Sequence, residues 1–218
     1  MTYDELICDE SIRVYIEAAD RSLSELGYTE HSFAHVTRVA NDAGRILSAL
    51  GYSAHDVELA KIAGYLHDIG NLINRVDHSQ SGAVMAFRIL DHMQMPPKDI
   101  AEIVTAIGNH DEGTGIAVNP IAAALILADK SDVRRSRVRN HDVASFDIHD
   151  RVNYSVESSA LSIRGEAKEI SLHLTIDNQI SSVMDYFEIF LGRMLMCRKA
   201  AERLGLAFRL YINGQALL

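Results

Sequence analysis

The chain has 218 residues, enough for one large domain with a sizeable core, and its 48% hydrophobic and 23% charged residues are typical of a globular protein. A net charge of −9 argues against a general nucleic-acid binder or a protein of anionic membrane surfaces. Cys8 and Cys197 show neither a disulfide framework nor a zinc-knuckle spacing, and the first residues lack a signal-peptide pattern. We therefore expect a soluble, cytoplasmic protein.

Helical periodicity dominates the chain up to about residue 140. Ser53 is a predicted N-cap, with Asp56 three residues later, and it begins the helix that carries His67-Asp68. Asn119-Pro120 is a second N-cap signal, and the helix it begins is expected to run through Asp129 into an arginine cluster. This cluster consists of Arg134, Arg135, Arg137 and Arg139. The other helices of this region are predicted over residues 3–26, 32–50, 81–92 and 97–109. The apolar residues that recur at helical spacing in the first of them are Ile7, Val14, Ala18 and Leu26.

The last third of the chain has a different pattern. Residues 160–164 and 170–176 alternate polar and apolar side chains on either side of Gly165-Glu166-Ala167-Lys168, which predicts a β-hairpin. A long helix is expected over residues 180–204 and a third strand over residues 207–212. The apolar side of this helix is predicted to contain Val183, Met184, Phe187, Leu191, Met194 and Leu195.

These elements predict a mainly α protein. The expected organisation is an all-helical domain over residues 1–140, followed by a small α+β extension over residues 141–218, with a β-hairpin, a long helix and a strand. The methionine-containing stripe of the long helix is interpreted as core or as the interface of a homodimer.

The adjacent pair His67-Asp68 is the most informative feature of the sequence. It ends a strongly apolar helix, where a buried ionisable group is costly unless it has a partner. His35 and Asp129 repeat the anomaly, since each is an ionisable residue on or at the end of an apolar helix. Imidazole and carboxylate together suit Mn, Fe, Co, Ni or Zn, and the alternative for each residue alone is a satisfied polar group at a helix end.

The segments around these four residues resemble the HD-domain superfamily of metal-dependent phosphohydrolases. The pattern of that superfamily is a His, a His-Asp pair and a distant Asp on an all-helical fold, and it matches residues 35–40, 63–70 and 127–130. The resemblance implies that His35, His67, Asp68 and Asp129 bind a divalent metal. It covers residues 31–140 and leaves the C-terminal third unexplained.

Two further histidines bear on the number of ions. In relatives with two metals, histidines at places similar to His78 and His110 bind the second ion, often with the Asp of the His-Asp pair as a bridge. Some of those relatives have two adjacent histidines where this chain has Asn109-His110. We therefore expect one ion and keep two as an alternative, in which case His78 and His110 are ligands rather than helix caps or phosphate contacts.

The expected mechanism follows from the metal, because a bound ion lowers the pKa of coordinated water and creates a hydroxide that can attack phosphorus. Asp68, His110 and Lys130 are predicted to be catalytic. Lys130, Arg134 and Arg135 are predicted to contact the substrate phosphate, since a guanidinium group matches phosphate oxygens. The alternative for the arginine cluster is a solvated helix face.

The sequence thus predicts a phosphohydrolase, with phosphatase or phosphodiesterase activity toward a nucleotide or another small phosphate ester. A di-iron oxygenase and a non-catalytic nucleotide-sensing or interaction module are the alternatives. Of the remaining histidines, His31 is expected to neighbour the site. The others are expected to face solvent, and they are His55, His92, His141, His149 and His173.

Overall fold

The computed structural model describes residues 1–140 and 142–218, so the prediction for His141 lies outside the described residues. The helices are α1 (Tyr3–Ile7), α2 (Glu10–Glu25), α3 (Phe33–Ala49), α4 (Ala54–Leu66), α5 (His78–His92), α6 (Pro97–Gly108), α7 (Pro120–Lys130), α8 (Ile148–Ser155) and α9 (Val183–Arg203). The strands are β1 (Val156–Arg164), β2 (Glu169–Ile176), β3 (Ala207–Ile212) and β4 (Gln215–Ala216). The predicted mainly α class is confirmed. Within the described residues, no helix combines the length and the apolar character needed to span a bilayer.

Two predicted helix starts are confirmed by their caps. The Ser53 hydroxyl accepts a hydrogen bond from the Asp56 backbone, while the Asp56 carboxylate accepts one from the Ser53 backbone. The Asn119 side chain accepts from the Ala122 backbone, and Pro120 occupies the first position of α7. These local signals fix where α4 and α7 begin, and with them the register of the residues at their ends.

The prediction of one helix over residues 3–26 is wrong, because the chain forms two helices there. The Asp9 carboxylate accepts a hydrogen bond from the backbone of Ile12 and begins α2 after α1 has ended. The predicted apolar set is also largely exposed, with Val14 at 49% and Leu26 at 62%. The buried side of α2 instead consists of Ile12, Ile16, Ala19 and Leu23.

The helix through Asp129 does not continue into the arginine cluster, which corrects that prediction. α7 ends at Lys130, Arg134 is extended, and Arg135–Arg137 form a single 3-10 turn. The side chains of this segment are tied to other elements: Arg135, for example, donates from Nε to the Tyr154 carbonyl oxygen of α8, at 2.6 Å. Tertiary contacts of this kind override a helical propensity that the sequence alone suggests.

The predicted β-hairpin and third strand are confirmed. The sheet has the order β1-β2-β3-β4, with β1 and β2 antiparallel and β2 and β3 parallel. α9 provides the crossover between the parallel strands and packs against both α7 and β3. The α+β part therefore lies directly on α7, whose last turn contains the predicted ligand Asp129.

The predicted apolar side of α9 is only partly correct. The buried residues at helical spacing are Tyr186, Phe190, Met194 and Cys197. Of the predicted residues, Met184 is 75% exposed, Leu191 49% and Leu195 39%. α9 has apolar residues on two faces, and periodicity cannot decide which of them packs against α7 and β3.

Candidate metal centre

His35 and His67 meet because α3 and α4 approach closely. A Cβ atom added at Gly64 would lie 2.7 Å from the Cα of Ala40, so only glycine permits this crossing. The crossing leaves His35 Nε2 3.3 Å from His67 Nε2, with both side chains fully buried. Two neutral imidazoles with lone pairs this close repel each other unless a proton or a metal cation lies between them.

A second glycine sets the position of His78. After His67-Asp68 the chain makes a 3-10 turn, Ile69–Leu72, and a Cβ atom at Gly70 would lie only 2.0 Å from the backbone oxygen of His78. The turn and the first residue of α5 are therefore in direct contact. His78 Nε2 consequently lies 3.5 Å from Asp68 Oδ1 and 3.2 Å from His110 Nε2.

The Asp68 carboxylate lies between two pairs of histidines. Its Oδ2 atom is 3.2 Å from His67 Nε2 and 3.5 Å from His35 Nε2. Its Oδ1 atom is 3.5 Å from His78 Nε2 and 4.0 Å from His110 Nε2. Asn71 donates to Oδ1 at 2.9 Å and fixes the plane of the carboxylate. Oδ2 thus faces the pair His35 and His67, and Oδ1 faces the pair His78 and His110.

Asp129 lies beside the first pair of histidines, His35 and His67. Its Oδ1 atom lies 3.4 Å from His35 Nε2 and 3.7 Å from His67 Nε2. His35, His67 and Asp129 form one set of convergent ligand atoms, and His67, Asp68 and His110 form a second. The structure brings together all six residues that the sequence predicts as metal ligands.

The hydrogen bonds of the histidines test whether this donor set fits a metal. The Nδ1 atom of His67 lies 2.8 Å from the Gly64 carbonyl oxygen, and that of His110 lies 2.6 Å from the Ile107 carbonyl oxygen near the end of α6. His78 Nδ1 lies 3.1 Å from another carbonyl, and His35 Nδ1 faces a carboxylate. Because a carbonyl or carboxylate can only accept, each Nδ1 carries the proton and each Nε2 lone pair points to the centre. Four convergent lone pairs beside two carboxylates fit a divalent transition metal.

The carboxylate that faces His35 belongs to Asp132, a residue that the sequence analysis missed. Its Oδ2 atom is 2.8 Å from His35 Nδ1, and the side chain is completely buried. Three arginines surround it, namely Arg38, Arg134 and Arg137. The sequence signal that could have identified Asp132 is its position three residues after Asp129, about one helical turn further along the chain.

The protonation states of His67 and His110 differ before a metal binds. Burial lowers the pKa of His67, but Asp68 and Asp129 outweigh it and raise that pKa to about 10. Burial, with the charge of His67 and Lys130, lowers the pKa of His110 to about 3. His67 therefore holds a proton at neutral pH that a metal must displace, whereas His110 is neutral and ready to ligate.

Both groups open into a cavity of about 410 Å³. Lys130 lines it, with Nζ 2.7 Å from Asp129 Oδ2, but Arg134 and Arg135 do not. Arg135 instead donates to the Tyr154 carbonyl and lies over its ring. The cations that line the cavity besides Lys130 are Arg75, Arg137 and Arg193.

Arg75 is a cation at the cavity that the sequence did not predict. Its guanidinium lies 3.3 Å from Asn71 Oδ1 and from His78 Nε2, and over the ring of Tyr28, without an ion pair in the described part of the chain. Asp111, directly after His110, is a further carboxylate at the cavity, with Oδ1 3.9 Å from His78 Nε2. Neither residue belongs to a periodic pattern, so only the fold identifies them.

The remaining histidines behave largely as predicted. The ring of His31 lies 5.4 Å from that of His35 and lines the cavity, which confirms it as a neighbour of the site. Burial holds the pKa of His31 well below its ordinary value. The exposed histidines are His55, His92, His149 and His173, and His149 also lies at the cavity wall.

Comparison with known protein families gives one clear match. The family model described as the HD domain matches residues 32–188. This span contains all the residues of both groups, and it extends past residue 140 into α9.

Individual relatives match over different extents. An uncharacterized protein of Methanocaldococcus jannaschii is 26% identical over 203 residues, which cover 82% of this chain and 77% of that protein. Ribonuclease Y of Acetivibrio thermocellus is 34% identical over 119 residues, and Ribonuclease Y of Bacillus subtilis is 32% identical over 117 residues. They cover 55% and 52% of this chain, and the chain spans only 21% of each ribonuclease.

A solved structure is also similar to part of this chain. It is the crystal structure of a predicted HD superfamily hydrolase from an uncultured Thermotogales bacterium, at 26% sequence identity and a TM-score of 0.45. The match covers 62% of this chain and 75% of that chain.

Proposed function

This chain belongs to the HD domain family, and we propose that it is a metal-dependent phosphohydrolase that acts on a nucleotide or another small phosphate ester. The observation that carries the proposal is the Asp68 carboxylate, whose two oxygens face two separate pairs of histidine Nε2 atoms. A carboxylate in this position can join two cations, and two-metal sites are a common solution for phosphoryl transfer.

The ligands divide into two sets that share Asp68. His35, His67, Asp129 and one Asp68 oxygen would hold one ion, and His78, His110 and the other Asp68 oxygen would hold a second. Bound divalent metal supplies a water of lowered pKa and neutralises phosphoryl oxygens. Because the pKa of His110 is lowered to about 3, this residue acts in the proposal as a neutral ligand and not as a proton donor.

The chain's own cations orient the substrate. Arg75 is free of carboxylate partners in the described residues and projects beside His78, so its planar fork can bind phosphate oxygens. Lys130 is 6% exposed and remains bound to Asp129, which limits it to one side of the cavity. We assign the phosphate contact to Arg75 and Lys130, in place of Arg134 and Arg135.

The size and charge of the cavity support a small substrate. A volume of about 410 Å³ is within the range of sites for small molecules. Asp147 and Asp150 lie at its wall, and acidic side chains there disfavour a polyanionic strand. The relatives named Ribonuclease Y support chemistry at a phosphate ester, since a ribonuclease cleaves phosphodiester bonds, but they share only part of their length with this chain.

The proposal is tested by screening the purified protein with Mn²⁺ and with Co²⁺ against p-nitrophenyl phosphate, its bis-ester and a panel of nucleotides. We expect metal-dependent hydrolysis that Asp68→Ala abolishes and that Asp91→Ala, an exposed control on α5, retains. A protein that holds metal but hydrolyses no ester contradicts the proposal and favours a non-catalytic module. Turnover that requires oxygen and two irons would favour the oxygenase alternative.

A further inference from the structure

The exposed apolar face of α9 is the feature that the proposed function does not use. Met184, Leu191 and Leu195 are spaced by seven and four residues, so they lie on one side of the helix. They are 75%, 49% and 39% exposed. The opposite side of α9 is fully occupied, because the helix packs there against α7 and β3.

The charges beside this face are arranged for self-association. Glu188 and Lys199 are both exposed and lie eleven residues apart, close to three helical turns, so they share one flank of the face. Glu188 lies before the two leucines, and the exposed Arg198 and Lys199 lie after them. The exposed Glu202 lies beyond these two cations, so the end of the face after the leucines carries two positive charges and one negative charge. A surface with opposite charges at its two ends is complementary to itself when turned around.

We propose that the α9 face binds the same face of a second copy of this chain, with the two helices antiparallel. A twofold axis near residues 193 and 194 places Leu191 against Leu195 of the second copy and Glu188 against Lys199 of the second copy. A parallel arrangement would set Glu188 against the same residue of the second copy, which is repulsive. The charges thus select the antiparallel pairing.

This dimer has a structural link to the cavity but does not depend on the proposed chemistry. Phe190 and Arg193, on other sides of the same helix, line the cavity. Arg193 also lies over the Phe190 ring, 4.3 Å from its centroid. Pairing would hold the helix that presents these two side chains, whatever reaction takes place beside them.

The first test is the mass of the 218-residue chain by sedimentation equilibrium at micromolar concentration. We expect twice the chain mass of 24.1 kDa. The double variant Leu191→Glu/Leu195→Glu should be monomeric, with its dissociation constant raised at least about a hundredfold. The matched control Val84→Glu, at a 70% exposed position on α5, should remain dimeric. A monomeric wild type, or a double variant that still dimerises, overturns the proposal.

The second test distinguishes the antiparallel alignment and does not depend on burying a charge in an apolar patch. Glu188→Lys and Lys199→Glu should each raise the dimer dissociation constant about tenfold, since each sets like charges together at two symmetric positions. Combined in one chain, the two changes should restore the wild-type constant. Failure of the combination to restore dimerisation overturns the antiparallel alignment. Circular dichroism verifies that each variant is folded.

Discussion

Asp132 Oδ2 lies 2.8 Å from His35 Nδ1, in a position where neither side chain is exposed to solvent. The contact fixes the tautomer of His35 and turns its Nε2 atom toward His67 and Asp129. The negative charge of Asp132 is in turn balanced by arginines from α3 and from the segment after α7. The candidate metal centre therefore has an outer layer that the pattern of ligands alone does not reveal.

We expect Asp132→Asn to weaken metal binding by about ten- to a hundredfold, because the loss of charge makes His35 a poorer ligand. The measurement is a metal titration by calorimetry on the folded variant. Asp99→Asn is the matched control, since Asp99 Oδ1 lies 2.9 Å from Nε2 of the exposed His55, which is not a predicted ligand, and this variant should bind metal nearly as the wild type does. Equal affinities in Asp132→Asn and wild type would show that the contact is only structural.

Gly70→Ala should destabilise the protein by about 1–3 kcal/mol, because the added methyl group meets the His78 carbonyl oxygen and the turn must move away from α5. The same movement separates His78 from Asp68, so metal binding should also weaken. Gly108→Ala is the control, since its Cβ atom would meet its nearest neighbour at an ordinary 3.6 Å. Denaturant unfolding without metal checks the first effect, and unchanged stability of Gly70→Ala would contradict the close approach.

Arg75→Ala should raise KM for a hydrolysed phosphate ester about ten- to a hundredfold, as expected for the loss of a charged hydrogen bond to phosphate. Arg135→Ala should leave KM nearly unchanged, because Arg135 is held by the Tyr154 carbonyl and lies outside the cavity. Steady-state kinetics on both variants decide between the two arginines. The reverse result would support the assignment made from sequence.

Metal affinity should rise with pH. The pKa of His67 is raised to about 10, so the folded, metal-free protein holds this proton throughout the neutral range, and an ion must displace it. The apparent affinity should therefore increase about tenfold per pH unit for each proton displaced, up to about pH 10. Calorimetry in buffers of different ionisation enthalpy measures the protons released. Binding that is independent of pH from 6 to 9 would contradict the raised pKa.

Much of the site could be predicted because its signals are local. His67-Asp68 and Asp129 stand out as ionisable groups at the ends of apolar helices, and the caps Ser53 and Asn119 fix where those helices begin. The contacts among the ligands are long-range, since His35 and His67 are 32 positions apart in the sequence. Their meeting depends on the close helix crossing at Gly64, which no periodicity shows.

The predictions that failed, and the residues that were not predicted, also depend on long-range contacts. Asp132 and Arg75 take their roles from partners elsewhere in the fold, so neither is conspicuous in its own segment. The helix predicted through the arginine cluster ends early because side chains such as Arg135 bind other elements. In α9 the two apolar faces were not distinguished, because periodicity reports that a helix is amphipathic but not what it packs against.

The most direct test of the account is the number of metal ions bound per chain, measured by mass spectrometry of the metal after equilibrium dialysis. We predict two ions per wild-type chain and at most one in Asp68→Ala, since this carboxylate faces both histidine pairs. Asp91→Ala should match the wild type. A wild type that binds no divalent metal, or an Asp68→Ala variant that binds two ions as tightly as the wild type, would contradict the account.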